Sequence, residues 1–226
     1  AGLGFGTVSV QTHGFRLAEP GFVERMVAAG CGKVNVSVRG KSAAVHEALT
    51  CVPGSFEKIV EGIRRVLDDG RMRLELDMIV TRHNVEDLAG EVWFFCDLGA
   101  RRFNLWFISL EGRVRKRVEE LVPRMSEAAP RIQAACMRAE ALGLSHMKVY
   151  YVPYCFMKGY ERFVWHPLDE NVLVISPGGD FKLDKGQIDI GVKRPPCERC
   201  SMNARCFGIA PAYAAHFGDG ELEPYE

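Results

Sequence analysis

The sequence predicts an α/β protein: a parallel β-sheet flanked by helices, followed by a smaller cysteine-rich α+β module. Apolar, β-branched runs alternate with stretches of helical periodicity through the first two-thirds of the chain, and the connections between them are short. This order favours parallel strands joined by right-handed crossovers. The texture changes near residue 145, where glycines, prolines and clustered cysteines become frequent. We therefore expect two units, residues 1–145 and residues 146–226.

Each element follows from its own pattern of apolar residues and its end signals. The predicted strands are 8–11, 34–38, 73–81, 102–110 and 147–152, and the predicted helices are 20–29, 56–67, 85–98 and 126–142. Ser55 is expected to cap the helix 56–67, with a loop between Gly40 and Pro53. A small hairpin is expected from residues 172–176 and 180–183 around a glycine turn.

The first four strands all end in polar or glycine-bearing segments. These segments are 11–14, 37–40, 81–84 and 109–112. Ligands of parallel α/β sheets bind at the carboxyl ends of the strands, so one shared binding face is predicted there. Loops are polar in any case, and that simpler explanation carries at least equal weight.

Three cysteines, Cys197, Cys200 and Cys206, form a C-x2-C-x5-C pattern. Two sulfurs three residues apart can face one metal centre, and a third sulfur one short turn later extends the ligand set. Cys155 is the best candidate for a fourth ligand. The remaining cysteines stand alone and are predicted to be buried in the core; they are Cys31, Cys51, Cys96 and Cys136.

The composition excludes several classes of function. The 226 residues include 29 basic and 29 acidic side chains, so bulk charge favours neither a nucleic-acid nor a membrane-surface partner. No run of 18 apolar residues and no basic leader is present. Eight cysteines without a secretory leader indicate a reducing compartment and metal chemistry. A cytoplasmic protein is expected.

Five segments and the cysteine loop together resemble the back two-thirds of a radical S-adenosylmethionine (AdoMet) enzyme with a C-terminal SPASM/twitch-like auxiliary iron–sulfur module. The segments are VSVQTHG (8–14), AAGCGKVNVSVRG (28–40), HEALTCVPGSFEKIVEGI (46–63), LDMIVTRHN (76–84) and FNLWFISLEG (103–112). They match, in order, the third to sixth strands of that family's partial TIM-like barrel and one helix start. Each match is weak alone, whereas five in register are specific.

The resemblance implies AdoMet as cofactor, bound by strand-end residues, and a four-iron auxiliary cluster on the C-terminal cysteines. The expected AdoMet contacts are Gln11, Thr12, Ser37 and Arg82, and the expected cluster ligands are Cys155, Cys197, Cys200 and Cys206. It further implies reductive AdoMet cleavage, hydrogen abstraction from a peptide or small molecule, and an external electron donor. No individual catalytic residue is indicated.

Two departures from the family pattern are visible. The C-x3-C-x2-C loop that holds the catalytic four-iron cluster and the glycine-rich loop after the second strand are both absent. Since the chain starts at Ala1, both are expected in a preceding part of a longer protein. In the SPASM pattern a further cysteine follows four residues after Cys206, where this chain has Ala210, so one auxiliary cluster is expected and not two.

An alternative from a different class remains open. The cysteines could hold zinc and merely stabilise a non-catalytic binding module. Colour separates the two hypotheses, because iron–sulfur proteins are brown and zinc proteins are colourless.

Overall fold

A five-stranded parallel sheet in the order β1-β2-β3-β4-β5 organises the computed structural model, which describes residues 4–166, 172–182 and 191–226. The strands are β1 (Val8–Thr12), β2 (Cys31–Val38), β3 (Arg73–Val80), β4 (Arg102–Phe107) and β5 (His146–Tyr150). Each pairs in parallel with the next one along the chain. The prediction of four adjacent parallel strands before residue 110 is therefore confirmed, and the sheet is consistent with a partial TIM-like fold.

Helices cover one face of this sheet. They are α1 (Phe22–Ala28), α2 (Ala43–Thr50), α3 (Ser55–Asp69), α4 (Leu88–Asp97), α5 (Val118–Leu121), α6 (Met125–Ala141) and, after the sheet, α7 (Pro211–Phe217). In α3, Ile59, Ile63 and Val66 recur at helical spacing and are almost completely buried. They belong to the same core as alternate strand residues such as Val36 and Leu76, which are fully buried. Within the described ranges, no helix is both long and apolar enough to cross a bilayer.

Two local predictions between β2 and β3 were wrong. Residues 43–50 form α2 rather than a loop, because the Ser42 side chain accepts a hydrogen bond from the Val45 amide and caps the helix. Ser55 does not cap α3: Gly54, with φ of 74°, occupies the cap position, and the Ser55 hydroxyl is bonded to the Thr50 hydroxyl at 2.9 Å. Glycine adopts this left-handed conformation without steric cost.

Two predicted elements around β4 are shorter than expected. The helix predicted over 85–98 is a 3₁₀ turn, Val85–Asp87, followed by α4, because the Asp87 carboxylate accepts from the Gly90 amide and begins the α-helix there. The strand predicted over 102–110 ends at Phe107.

The segment after residue 145 begins with a strand of the main sheet. β5 pairs with β4 along its whole length, and Val149 also bridges in parallel to Val164. A separate hairpin joins β6 (Leu173–Ser176) to β7 (Gly179–Lys182), as predicted, except that Leu183 lies outside the described residues. The division into units 1–145 and 146–226 stays a prediction.

The C-terminal segment is tied to the helical layer by α7. The Tyr213 hydroxyl accepts a hydrogen bond from the Met125 amide at 2.7 Å and donates to Glu221 at 3.1 Å. The Glu221 carboxylate in turn contacts Arg124 and the Ser126 amide at 2.9 Å each. These contacts fix α7 against the start of α6.

Candidate functional site

The sheet face opposite the helices is polar. Parallel sheets are normally covered by apolar side chains on both faces. Here every second residue along the strands is polar, and these residues include Gln11, Lys33, Asn35, Ser37, Glu75, Asp77, Arg102, Asn104, His146 and Lys148. A polar face of this extent is costly to bury unless its groups bond to one another or to a ligand.

Asp77 is the centre of the hydrogen bonds on this polar face and is 1% exposed. One carboxylate oxygen accepts from the Asn104 amide at 2.8 Å, the Trp106 indole at 3.2 Å and the Asn35 amide at 3.3 Å. The other oxygen accepts from the Gln11 amide at 2.9 Å. Four donors on three strands, β1, β2 and β4, thus converge on one buried carboxylate of β3.

A second carboxylate lies one layer below, toward the amino ends of the strands. Glu75 contacts Lys33 at 2.7 Å and Arg102 at 2.9 Å. Burial alone raises the pKa of Glu75, but the hydrogen bonds from Lys33 and Arg102 outweigh it and lower the pKa to about 2. His146 bonds to Asn104 at 3.0 Å, and burial, followed by the charge of Arg102, lowers the pKa of His146. The polar side chains of this layer are therefore bonded to one another.

The expected AdoMet contacts on β1 and β2 lie together at the carboxyl edge. Thr12 pairs with Val36, one residue before Ser37, on directly neighbouring strands. The Thr12 hydroxyl accepts from the Gly14 amide at 3.1 Å. Ser37 lines a cavity of about 450 Å³ together with His13, Phe15, Arg39, His46, Leu49, Thr50, Val52 and Ser55. Small-molecule sites commonly have this volume.

Arg82 is placed differently from the other expected AdoMet contacts. Its guanidinium lies 3.5 Å from the Glu127 carboxylate in α6, and its amide donates to the Leu121 carbonyl. Gln11 bonds to Asp77, as described above. Gln11, Thr12 and Ser37 are thus brought to one edge, whereas Arg82 already has an acidic partner on the helical layer.

Sequence reasoning missed Asp77 and Arg39. The signal for Asp77 was available, because Glu75 and Asp77 alternate with Leu74, Leu76 and Met78 in β3. Arg39 directly follows β2 and is partly buried; burial lowers its pKa, while the charge of Asp77 raises it. No sequence pattern indicates that Arg39 lines the Ser37 cavity.

The four predicted cluster ligands line one cavity. Its walls include Cys155, Cys197, Cys200 and Cys206 beside apolar residues such as Ile209 and Leu222. Burial raises the pKa of Cys155 to about 12, and the neighbouring Cys206, Cys197 and Cys200 add to that rise. The structure thus places the four predicted ligands around one cavity.

Backbone amides already point at two of these sulfurs. The Gly208 amide donates to Cys206 Sγ at 3.3 Å, and the Tyr225 amide donates to Cys200 Sγ at 3.4 Å. Amide donors of this kind stabilise metal-bound thiolates. No three His, Cys, Asp or Glu side chains of the described segments are arranged as ligands of a single metal ion.

The isolated cysteines follow the prediction with one exception. Cys31, Cys96 and Cys136 are buried, but Cys51 is exposed. Cys51 ends α2 with φ of 56°, a conformation that turns the chain outward into the loop before α3.

These features define the class of protein: an α/β protein with a parallel sheet consistent with a partial TIM-like fold, a polar sheet face and a separate cysteine cavity. No family model matches the chain. Its relatives include the AdoMet-dependent heme synthase of Methanosarcina barkeri, which is 30% identical over 106 residues, or 47% of this chain and 30% of that protein. The probable GTP 3',8-cyclase of Saccharolobus islandicus is 29% identical over 103 residues, or 46% of this chain and 32% of that protein.

A second AdoMet-dependent heme synthase, from Nitratidesulfovibrio vulgaris, is 31% identical over 98 residues, or 43% of this chain and 26% of that protein. The matched part of the chain thus spans about a third of the length of these curated relatives. The named relatives are radical AdoMet enzymes, which confirms the resemblance at that general level.

Proposed function

We propose that this chain is the substrate-facing portion of a radical AdoMet enzyme, and that the complete enzyme cleaves AdoMet reductively and abstracts hydrogen from a peptide or small molecule. The observation that carries the proposal is the polar sheet face centred on Asp77, in a chain whose relatives are radical AdoMet enzymes. When bound, AdoMet and a reduced four-iron cluster supply the oxidising equivalent. An external donor supplies the electron.

The residues of the Ser37 cavity suit the chemistry of AdoMet. Its ribose and amino-acid portions present hydroxyls, an amino group and a carboxylate. Of the lining residues, Ser37 offers a hydroxyl that both donates and accepts, and Arg39 offers a guanidinium for a carboxylate. Thr12 lies outside the lining, on the neighbouring strand, and offers a second hydroxyl. Asp77 holds the neighbouring amides and Trp106 in fixed orientations, so that the polar face is pre-organised. Arg82 would contact AdoMet from its place beside Glu127.

The chain's own cysteines do not provide the C-x3-C-x2-C loop for the catalytic cluster. The proposal therefore concerns a complete enzyme, with the catalytic cluster held by other residues. Within this chain we assign AdoMet contact to the carboxyl edge of β1 and β2 and an auxiliary cluster to the C-terminal cysteines.

In this proposal the four cysteines hold a four-iron cluster rather than zinc. Zinc at about 2.3 Å from each sulfur draws its thiolates to within about 4 Å of one another. A cluster separates its thiolate ligands further and would be lined by all four cysteines, which share one cavity here. The amides of Gly208 and Tyr225 then act as donors to the cluster's thiolates.

Anaerobic reconstitution with iron and sulfide tests the cluster. The expected product is brown, absorbs near about 400 nm and holds about four iron atoms per chain. Cys200→Ser should lose the iron, whereas Cys51→Ser, which changes an exposed cysteine outside the cavity, should keep it. Full iron retention in Cys200→Ser, or a colourless zinc-loaded chain, would overturn the assignment. Iron loss in Cys200→Ser but not in Cys155→Ser would mean a three-cysteine site.

Ligand-observed NMR with AdoMet tests the second half of the proposal. Saturation transfer from the protein to AdoMet is expected in the natural chain and should fall sharply in Ser37→Ala. Ser9→Ala changes a serine on exposed β1 and serves as the control. Equal transfer in both variants would remove Ser37 from the site.

A further inference from the structure

A second large cavity lies beyond the carboxyl end of β4, between the sheet and α7. Its volume is about 700 Å³, within the range of small-molecule sites. Its lining residues are Phe107, Ile108, Ser109, Leu110, Glu111 and Arg115 from the β4 side, Tyr151 after β5, and Ala210, Pro211, Ala212, Tyr213 and Ala215 from the α7 side. It shares no lining residue with the Ser37 cavity or with the cysteine cavity.

Tyr151, which lines this cavity, has a strained backbone conformation. Its φ is 63°, and among the described residues only Cys51 is another non-glycine with positive φ. A bulky residue in this region is a true outlier and costs about 1–3 kcal/mol. Such strain persists only where the surrounding structure enforces it.

The strain has a geometric consequence for the aromatic side chains. Successive residues of an extended strand point to opposite faces of the sheet. Yet Tyr150 stacks on Trp106 at 3.9 Å between ring centroids, and the Tyr151 ring also contacts Trp106, at 5.5 Å. The left-handed turn thus keeps both tyrosines on the side of Trp106, with Tyr151 at the cavity wall.

The polar side chains of the lining are those of Ser109, Glu111, Arg115, Tyr151 and Tyr213, and Ser109 is exposed to solvent. The Tyr213 hydroxyl is already engaged by the Met125 amide and Glu221. Arg115 and Glu111 pair at 2.8 Å and are both 64% exposed, so their charges cancel at the rim. The Tyr151 hydroxyl has no hydrogen-bond partner in the described part of the chain.

From this geometry we infer that the cavity is a substrate-binding pocket for a largely apolar, uncharged ring or side chain, and that Tyr151 is the specificity-determining contact that bonds its one polar group. This inference rests on the proposed function only in that the bound molecule is called a substrate. A triphosphate is disfavoured, because the lining's one cation is neutralised by Glu111. The wall contributed by Phe107, Leu110 and Tyr213 suits an apolar body instead.

The test uses N-phenyl-1-naphthylamine, a neutral fluorophore with a single N–H, added to the intact 226-residue chain. Saturable fluorescence enhancement is expected. Ala212→Trp fills the pocket and should weaken binding at least tenfold, whereas Ala134→Trp, on the exposed face of α6, should leave it unchanged. Equal affinity of the two variants would overturn the inference.

Two variants at position 151 test the same cavity independently of whether Ala212→Trp folds. Tyr151→Gly accepts the positive φ but removes the ring, so the fold should be kept while probe binding falls at least tenfold. Tyr151→Phe removes only the hydroxyl and should weaken binding about fivefold, as for one neutral hydrogen bond. Unchanged affinity in both variants contradicts the role of Tyr151. A fluorescent GTP analogue that binds more tightly than the neutral probe contradicts the ligand class. Neither assay contains AdoMet or iron, so its failure is separable from failure of the proposed function.

Discussion

Replacement of Asp77 by alanine should lower the free energy of unfolding, because it removes the acceptor at the centre of the polar face. The carboxylate is 1% exposed and accepts four hydrogen bonds. Its removal orphans the amide of Asn104, which is only 3% exposed, at a cost of about 1–3 kcal/mol. The half-buried Asn35 and Trp106 each lose a charge-assisted bond worth about 1 kcal/mol, and exposed Gln11 reaches water at almost no cost.

The sum is a destabilisation of about 3–5 kcal/mol for Asp77→Ala. Asp77→Asn keeps the shape and one acceptor oxygen, and the Gln11 amide can rotate to present its own oxygen to the new NH₂ group. About 1–2 kcal/mol is therefore expected for Asp77→Asn, and under 0.5 kcal/mol for Gln11→Ala.

Urea unfolding followed by far-ultraviolet circular dichroism measures all three variants without relying on Trp106 fluorescence. The decisive result is the order Ala, then Asn, then Gln11→Ala. If Asp77→Ala and Asp77→Asn agree within about 0.5 kcal/mol, the carboxylate is not the organising acceptor, and the pre-organisation assigned to this face is wrong.

Three further predictions concern pH and backbone geometry. The pKa of Glu75 is lowered to about 2 from an unfolded value of about 4.3. Its contribution to the free energy of unfolding is therefore present above pH 4.3 and is lost as the pH falls toward 2. About 2–3 kcal/mol of stability should disappear over that range, and Glu75→Gln should reduce this pH dependence in acid titrations of unfolding. Burial raises the pKa of Glu91 to about 8, although the Asn84 amide at 3.2 Å opposes that rise. Because native Glu91 keeps its proton longer than the unfolded chain does, stability falls as pH rises from about 4.3 to 8. Glu91→Gln should therefore be more stable than the natural chain at pH 8, and this gain should vanish at pH 5; a constant difference would contradict the assigned pKa. In Gly208→Ala, a Cβ would lie 2.3 Å from the Val192 carbonyl oxygen, at a φ of 90°. The loop beside Cys206 should therefore distort, and the reconstituted chain should hold less iron. Gly220→Ala, which has open space around its Cβ, should keep the iron and serves as the control.

The sequence alone determined the order and direction of the main sheet. Alternation of apolar strands with amphipathic helices in 8–110 leaves few ways to bury both, and the short connections favour parallel strands joined by crossovers. The clustering of Cys197, Cys200 and Cys206 likewise indicated a shared site, since residues so close in sequence are held close in space. Local signals failed at α2 and Ser55, where a side-chain cap and a left-handed glycine, neither decisive in the sequence, chose the helix starts.

Only the tertiary structure decided which residues meet across the sheet. Asp77 accepts hydrogen bonds from Gln11, Asn35 and Asn104, which lie up to 66 residues from it in the sequence, because strand register places them side by side. Cys155 shares a cavity with Cys197, Cys200 and Cys206, although it precedes them by 42 residues or more in the chain. The strained Tyr151 is the clearest case. No pattern predicts a positive φ for tyrosine, since that conformation is unfavourable locally and is imposed by the packing of Tyr150, Trp106 and the cavity around them.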